Sequence, residues 1–360
     1  MAIEDIVNEN IEEFNRAFWL DWENKTKYID LFKRGLASGD TLGLFFIKDS
    51  KAILELANYY KDFKKIIIYD AEGTIDLLKD YDSIDKFNDP RVKYIYAGQS
   101  LSMKFDKIIM NPPYSKNLHL KILREAMKCS KDIVNLSPIR WLQDPLAEYK
   151  NNSDWKKFED IRGKIENLDI VNVKDAASLL GAGVFTDLGI YHITEKGGFD
   201  TASLRIKSTV LDKVLQYKDR LYSHWQQGFI EGKWNVKVAE VRGFGSGNNY
   251  DFVSNIHMAP YNKLEDYIKT KFQKADAYTQ DYENENFVVF DTLEEGLNFT
   301  KSTHTDFYHY LIKCWKLDQH VPLKFLPFMP TYTHPWTDKD LYDFFNLTPE
   351  EINEIEYSLK

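Results

Sequence analysis

The sequence predicts an α/β fold: a doubly wound, mostly parallel sheet with helices on both faces, followed by a C-terminal region of mixed α/β character. Three observations carry this expectation. Apolar runs of strand length alternate with segments of helical periodicity through the first half of the chain. One run, Lys65 to Tyr69, is strongly β-branched and stops at Asp70. Another, Ile108-Ile109-Met110, stops at Asn111-Pro112-Pro113-Tyr114. Both stops fall at the carboxyl edge of such a sheet, where open α/β sheets bind their ligands.

The elements follow in order. Glu4 to about Arg34 reads as helical, with Phe14, Ala17, Phe18 and Trp22 at helical spacing, and Ser38-Gly39-Asp40 breaks that run. Leu42 to Ile47 is the first strand, and Ser50 to Tyr60 a helix with Ile53, Leu54, Leu56 and Ala57 inward. Lys65 to Tyr69, Val92 to Tyr96 and Lys107 to Met110 are the next three strands. His119 to Cys129 is a helix that turns Leu120, Leu123, Ala126 and Met127 to the sheet, and Ile133 to Leu136 is the fifth strand. A charged helical stretch, Trp155 to Glu166, precedes strands around Asp169 to Val173 and Leu188 to Thr194. Gly197-Gly198 closes a first domain, giving units of 1–200 and 201–360. In the second, Arg242-Gly243-Phe244-Gly245-Ser246-Gly247-Asn248-Asn249-Tyr250 reads as a loop, either a plain hairpin connection or a DNA contact. Pro327 to Trp336 leads into two short helices, Asp338 to Phe345 and Pro349 to Ser358. Thr348, Pro349 and Glu351 form a capping box with proline at the first helical position.

Composition narrows the class. A chain of 360 residues, 43% hydrophobic, can bury a core without staples. No apolar stretch approaches membrane-spanning length, and the acidic start Met1-Ala2-Ile3-Glu4-Asp5 is unlike a secretory signal. Cys129 and Cys314 stand far apart with no metal-ligand spacing, so no metal is expected and a reduced, cytoplasmic setting is. The net charge of −9 weighs against a nucleic-acid partner, but charge is segregated. Lys104, Lys107, Lys116, Lys121, Arg124, Lys128, Lys131 and Arg140 crowd the segment from Ser100 to Trp141, which is read equally well as a solvated helix face.

The corner Asn111-Pro112-Pro113-Tyr114 suggests chemistry. Two prolines fix φ and bias the residues before them toward extended geometry, so the chain cannot continue as helix. It offers the Asn111 side-chain oxygen, a prolyl carbonyl and the Tyr114 face. A planar exocyclic amine suits that set: its N–H groups donate to the oxygens while its ring stacks on the tyrosine.

Phe105 to Tyr114 resembles the amino-methyltransferases that methylate N6 of adenine with S-adenosylmethionine. Asn135-Leu136-Ser137-Pro138-Ile139-Arg140-Trp141-Leu142, Gly181-Ala182-Gly183-Val184-Phe185-Thr186 and the closing Pro327 to Thr348 extend the likeness to the gamma-class adenine-specific DNA methyltransferases of bacterial restriction–modification systems and phages. The likeness spans most of residues 40 to 200 and the last 35. It implies a Rossmann-like methyltransferase sheet with a C-terminal target-recognition region. It implies catalysis at Asn111, Pro112, Pro113 and Tyr114, with the base flipped out of double-stranded DNA, and substrate contacts from Phe185, Arg140 and Lys116. A partner nuclease or a second copy of the chain stays open.

The resemblance places S-adenosylmethionine at Phe45 and Phe46, with Asp70 on its ribose and Gln99 on its adenine. The sequence departs from the family here, because Gly43 lies inside the strand and no glycine follows at the turn. A non-catalytic DNA-binding relative therefore stays open. So does an enzyme acting on cytosine N4, RNA adenine or a protein amide, since the tetrapeptide alone is shared with those.

Overall fold

A computed structural model describes residues 2–15, 30–70, 75, 89–96, 99, 101, 103–144, 147, 153–173, 175–176, 186–216, 237–240, 252–257, 269–274, 286–290, 293–315, 327, 329 and 331–359. The chain divides into two units, Met1–Arg205 and Ile206–Lys360.

The first unit opens with helices α1 (Ile3–Glu9) and α2 (Ile11–Asn15), then β1 (Ser38–Phe45), α3 (Ser50–Tyr59), β2 (Asp62–Asp70), β3 (Val92–Tyr96) and β4 (Lys107–Met110). A 3-10 turn (Ser115–Asn117) leads into α4 (Leu118–Cys129) and β5 (Asp132–Pro138). Three single turns follow, α5 (Arg140–Gln143), α6 (Asp154–Lys157) and α7 (Glu159–Arg162), then β6 (Ile165–Val171) and β7 (Leu188–Thr194). The seven strands form one sheet in the order β3-β2-β1-β4-β5-β7-β6. All neighbours pair in parallel except β7, which runs antiparallel to both β5 and β6. This is the doubly wound, mostly parallel sheet that the sequence predicts.

The uninterrupted apolar runs are explained by burial on both faces. Ile66, Ile68, Leu42, Leu44, Ile109 and Val134 point to a layer holding α3 through Ala52, Ile53, Leu56 and Ala57. Ile67, Tyr69, Phe45, Ile108, Met110 and Ile133 point to the opposite layer, built from α1 and α4. Gly43 has its own reason there: a Cβ would stand 2.6 Å from the Phe45 ring and 3.0 Å from Phe105. It makes room for two aromatic rings, not for a turn.

Several boundaries differ from expectation. The first helix is interrupted at Asn10, whose amide caps α1 on Val7, while Ala17, Phe18 and Trp22 lie outside the described residues. β1 begins at Ser38, because Ser38 and Gly39 pair with Asp62 and Phe63 and the Asp40 amide donates to the Asp106 carboxylate, so the chain is not broken there. The predicted helix Trp155 to Glu166 is two single turns, and Glu166 already belongs to β6. Ile165 is drawn into the sheet opposite Ile193 and outweighs the local helical pattern. The unit boundary falls after Arg205, beyond Gly197-Gly198, because the 3-10 turn Thr201–Leu204 still packs on α5.

The second unit holds α8 (Thr209–Gln216), a four-stranded antiparallel sheet in the order β10-β9-β11-β8, and helices α9 to α12. The strands are β8 (Lys237–Glu240), β9 (Phe252–His257), β10 (Lys269–Lys274) and β11 (Asn286–Phe290). The helices are α9 (Leu293–Ser302), α10 (Asp306–Trp315), α11 (Asp338–Phe344) and α12 (Pro349–Ser358). Arg242 to Tyr250 lies outside the described residues. Thr337 and Thr348 each close a capping box, with Asp340 and Glu351 respectively.

Candidate active site

Strand order reverses between β1 and β4, and the crevice beyond their carboxyl ends is where such sheets bind ligands. The predicted corner stands there. The Asn111 amide donates to the Phe45 carbonyl (3.1 Å) and the Phe46 amide to the Tyr69 carbonyl (2.8 Å), which sets Asn111, Phe46 and Asp70 along one edge. Asn111, Pro112 and Pro113 are buried, and Tyr114 is half-buried. The Tyr114 hydroxyl donates to Asn111 Oδ1 at 2.8 Å. Burial pushes that hydroxyl well above the usual tyrosine range, reinforced by Tyr191, so it stays a donor. A carbonyl oxygen has two lone pairs, so Oδ1 retains one acceptor site for an amine.

The chain leaves the corner under strain. Lys116 (φ 51°) and Asn117 (φ 58°) are consecutive non-glycine residues in the left-handed region, each costing about 1–3 kcal/mol. Side chains hold them. Glu13 of α2 accepts from Ser115 Oγ (2.8 Å) and pairs with Lys116 Nζ (3.2 Å), and Asn117 Nδ2 donates to Asp154 (2.8 Å).

His119, which the sequence reading placed only as a helix residue, backs the corner. Its ring stands edge-on to Tyr114 with centroids 6.1 Å apart, and Nδ1 lies 3.3 Å from the Tyr114 carbonyl. Burial pushes its pKa down to about 3, with the Arg140 charge acting the same way, so the ring is neutral at ordinary pH. Asn135, given in the sequence only as the start of a motif with no role of its own, is fully buried in β5 opposite Met110, bonded through Nδ2 to Ser137 Oγ at 2.8 Å. Nothing local marks either residue, because their roles depend on what the sheet brings alongside.

The other predicted residues are distributed unevenly. Phe45, Phe46 and Asp70 share the edge with the corner. Gln99 is exposed past β3, its amide closing a turn on the Tyr96 carbonyl at 2.9 Å. Arg140 is exposed at the start of α5, Lys116 reaches back to Glu13, and Phe185 lies outside the described residues. Much of the basic segment is engaged internally. Arg124 pairs with Asp160, Lys128 with Glu125 and Lys131 with Glu195, while Lys104 donates to the Lys128 carbonyl. Lys107 is buried against Asp132 (2.6 Å) at the opposite end of the sheet. Among the described residues no group of His, Cys, Asp and Glu is placed to hold a metal, and no helix is long and apolar enough to cross a membrane.

The turn after β1 tests the expected cofactor. Phe46 stands there with φ 60°, the left-handed geometry a glycine would supply, but its ring is wholly buried. It packs on Phe14 (5.0 Å) and Tyr69 (5.6 Å), while Phe45 packs on Tyr69 (5.1 Å) and Phe105 (5.2 Å). Lys48, buried just beyond, donates to the Phe14 carbonyl. Burial lowers its pKa, against the pull of the nearby Asp70 carboxylate. Asp70 is itself fully buried. S-adenosylmethionine needs an open turn and a reachable acid, so these residues do not fit it as they are arranged here.

No family model matches the chain, and no curated protein matches it. Solved structures with a similar course of the chain include a putative RNA methyltransferase from Pyrococcus horikoshii (TM-score 0.33, 12% identity, covering 54% of this chain and 98% of that one). Two others are the 23S rRNA methyltransferase ErmE (0.35, 10%, 55% and 76%) and a precorrin-6y C5,15-methyltransferase from Geobacter metallireducens (0.35, 12%, 51% and 96%). At these levels nothing about substrate carries across. The fold class rests on the order and direction of the seven strands.

Proposed function

We propose that this chain is a methyltransferase acting on an exocyclic amine, with N6 of adenine in DNA as its target and S-adenosylmethionine as its methyl donor. The observation that carries the proposal is the corner itself. Asn111, whose Oδ1 accepts from the Tyr114 hydroxyl, and the two prolines that follow it stand at the switch point of the doubly wound sheet. An adenine amine is a poor nucleophile because its lone pair is delocalised into the ring. Accepting its two hydrogens at Asn111 and at the Pro112 carbonyl favours a pyramidal nitrogen with its lone pair available. Aromatic stacking at about 1–3 kcal/mol per base offsets the unstacking of a base rotated out of the duplex. His119 keeps the tyrosine in place without contributing charge.

Digestion of treated DNA to nucleosides, with mass spectrometry for N6-methyladenine, tests this directly. Methylation of cytosine, or of RNA and not DNA, would move the target while keeping the amine chemistry. A second reading, a methyltransferase-like DNA-binding protein without catalysis, is favoured by one observation: Phe14, Phe46 and Lys48 cover the turn and the acid that the cofactor needs. Calorimetry with S-adenosylmethionine separates the two.

A further inference from the structure

Two guanidinium groups of the first unit stand against one indole. Trp155 of α6 is buried, and the Arg162 guanidinium reaches back from the end of α7 to lie 4.0 Å from its ring centroid. The Arg205 guanidinium, just past the turn Thr201–Leu204, approaches the same ring at 5.9 Å. This cluster is tied to the carboxyl end of the sheet in two ways. Helix α5, which follows β5, packs both on α6 and on the turn Thr201–Leu204. Asp154, next to Trp155, accepts from Asn117 Nδ2 and so joins α6 to the chain leaving the corner.

We propose that Trp155, Arg162 and Arg205 form a binding site for a phosphate of a nucleic-acid backbone, flanking the corner that receives the base. The inference rests on the proposed nucleic-acid substrate and names how its backbone is held. Arg162 carries the argument, by contrast with Arg124. Arg124 is stacked in the same way, 4.4 Å over Phe158, but its donors are engaged by the Asp160 carboxylate and the Lys157 carbonyl. Arg162 Nε is buried with no hydrogen-bond partner. Its ion pair is a 3.5 Å approach to Glu159, three residues back and 79% exposed, and such exposed pairs contribute little. The neighbouring carboxylates Asp154 and Asp160 are already taken by Asn117 and Arg124. A buried charged donor left without a partner is costly, and a phosphate oxygen would satisfy it. Stacking on the indole fixes the guanidinium plane and leaves its fork of N–H groups in that plane. That arrangement suits bidentate capture of a phosphate. Lys156 and Lys157 are exposed on the same short helix and add positive charge without fixed geometry.

The test is fluorescence anisotropy of a labelled DNA duplex with the full chain, at salt concentrations from about 50 to 200 mM. Arg162→Met and Arg205→Met keep an apolar stem against Trp155 and remove the charge. Each is expected to bind roughly tenfold more weakly, as for loss of a hydrogen bond to a charged group. Each should also flatten the slope of log affinity against log salt by about 0.9, the share of one phosphate. The loss should be equal for duplexes of different sequence, since a phosphate contact carries no sequence information. Arg124→Met, whose donors are engaged within the fold, should leave the slope close to that of the parent. Melting temperatures matched to the parent exclude unfolding as the cause. If Arg162→Met does not fold, Arg205→Met decides. An unchanged slope in the Arg162 and Arg205 variants, or equal flattening by Arg124→Met, would overturn the phosphate site alone. The same losses measured on RNA and not on DNA would keep the site and move the substrate. Absence of binding by the parent to both DNA and RNA refutes the site together with the nucleic-acid reading.

Discussion

Tyr114 carries a half-buried ring, proposed to stack on the base, and bonds Asn111 through its hydroxyl, so its two parts can be separated by substitution. Tyr114→Ala removes the face and should lower methyl transfer strongly, with about 1–3 kcal/mol of stacking lost. Tyr114→Phe keeps the face, and the second lone pair of Asn111 Oδ1 does not need the hydroxyl, so most activity should remain. Single-turnover rates compare the two, and equal damage would show that the face is not what matters. Asn111→Ala should abolish transfer while leaving DNA affinity nearly intact, because phosphate contacts dominate affinity. Fluorescence anisotropy with labelled duplex checks this; a parallel collapse of binding would mark Asn111 as a support of the sheet edge. These residues were legible in the sequence because two prolines after an apolar run leave few local conformations. Glu13, Lys48 and His119 were not, since a carboxylate, an ammonium or an imidazole looks the same in sequence whether it faces solvent or a partner far along the chain.

Among elements, the strand runs and the C-terminal caps were read closely. Lys107–Met110, Val92–Tyr96 and Leu188–Thr194 stand where the pattern puts them. Lys107–Met110 and Leu188–Thr194 are buried nearly throughout, whereas Val92–Tyr96 is a half-buried edge strand whose β-branched and aromatic residues mark it. The stretch from Trp155 to Glu166 went wrong because helical periodicity and strand pairing both fit, and pairing with β7 decided it. The caps allow a direct check. Thr348 Oγ1 accepts from the Glu351 amide, and the Glu351 carboxylate accepts from the Thr348 amide at 2.7 Å. Glu351 also pairs with Lys213 of α8 at 2.6 Å, tying the first turn of α12 to that helix. Thr348→Ala should lower stability by about 1 kcal/mol, measured as an earlier unfolding transition. Thr348→Ser should restore most of it.

At the scale of the whole sheet, the buried pair of Lys107 and Asp132 closes the amino end opposite the site, and Asp132 also accepts from the Leu36 amide at 2.7 Å. Burial alone would push the Asp132 carboxyl up, but the nearby His192 ring, the Lys107 ammonium and the Leu36 amide together hold it below the usual range. A carboxyl with a depressed folded-state pKa contributes stability above its unfolded value of about 3.9, lost as pH falls through the lower folded value. Asp132→Asn should cost about 3–5 kcal/mol at pH 7, because Lys107 is left buried without its counter-charge. Denaturant titration at pH 7 and near pH 3 should show the gap to the parent narrowing in acid; a constant gap would exclude the ionic contribution. The strand order has a further consequence, for synthesis. β1 pairs on one side with β2, which follows closely in the chain, and on the other with β4, made only after β3. The edge from Leu42 to Phe45 therefore remains an unpaired apolar template on the growing chain until Met110 leaves the ribosome. Nascent chains arrested short of β4 should sediment or hold chaperones, and those arrested beyond β5 should release them.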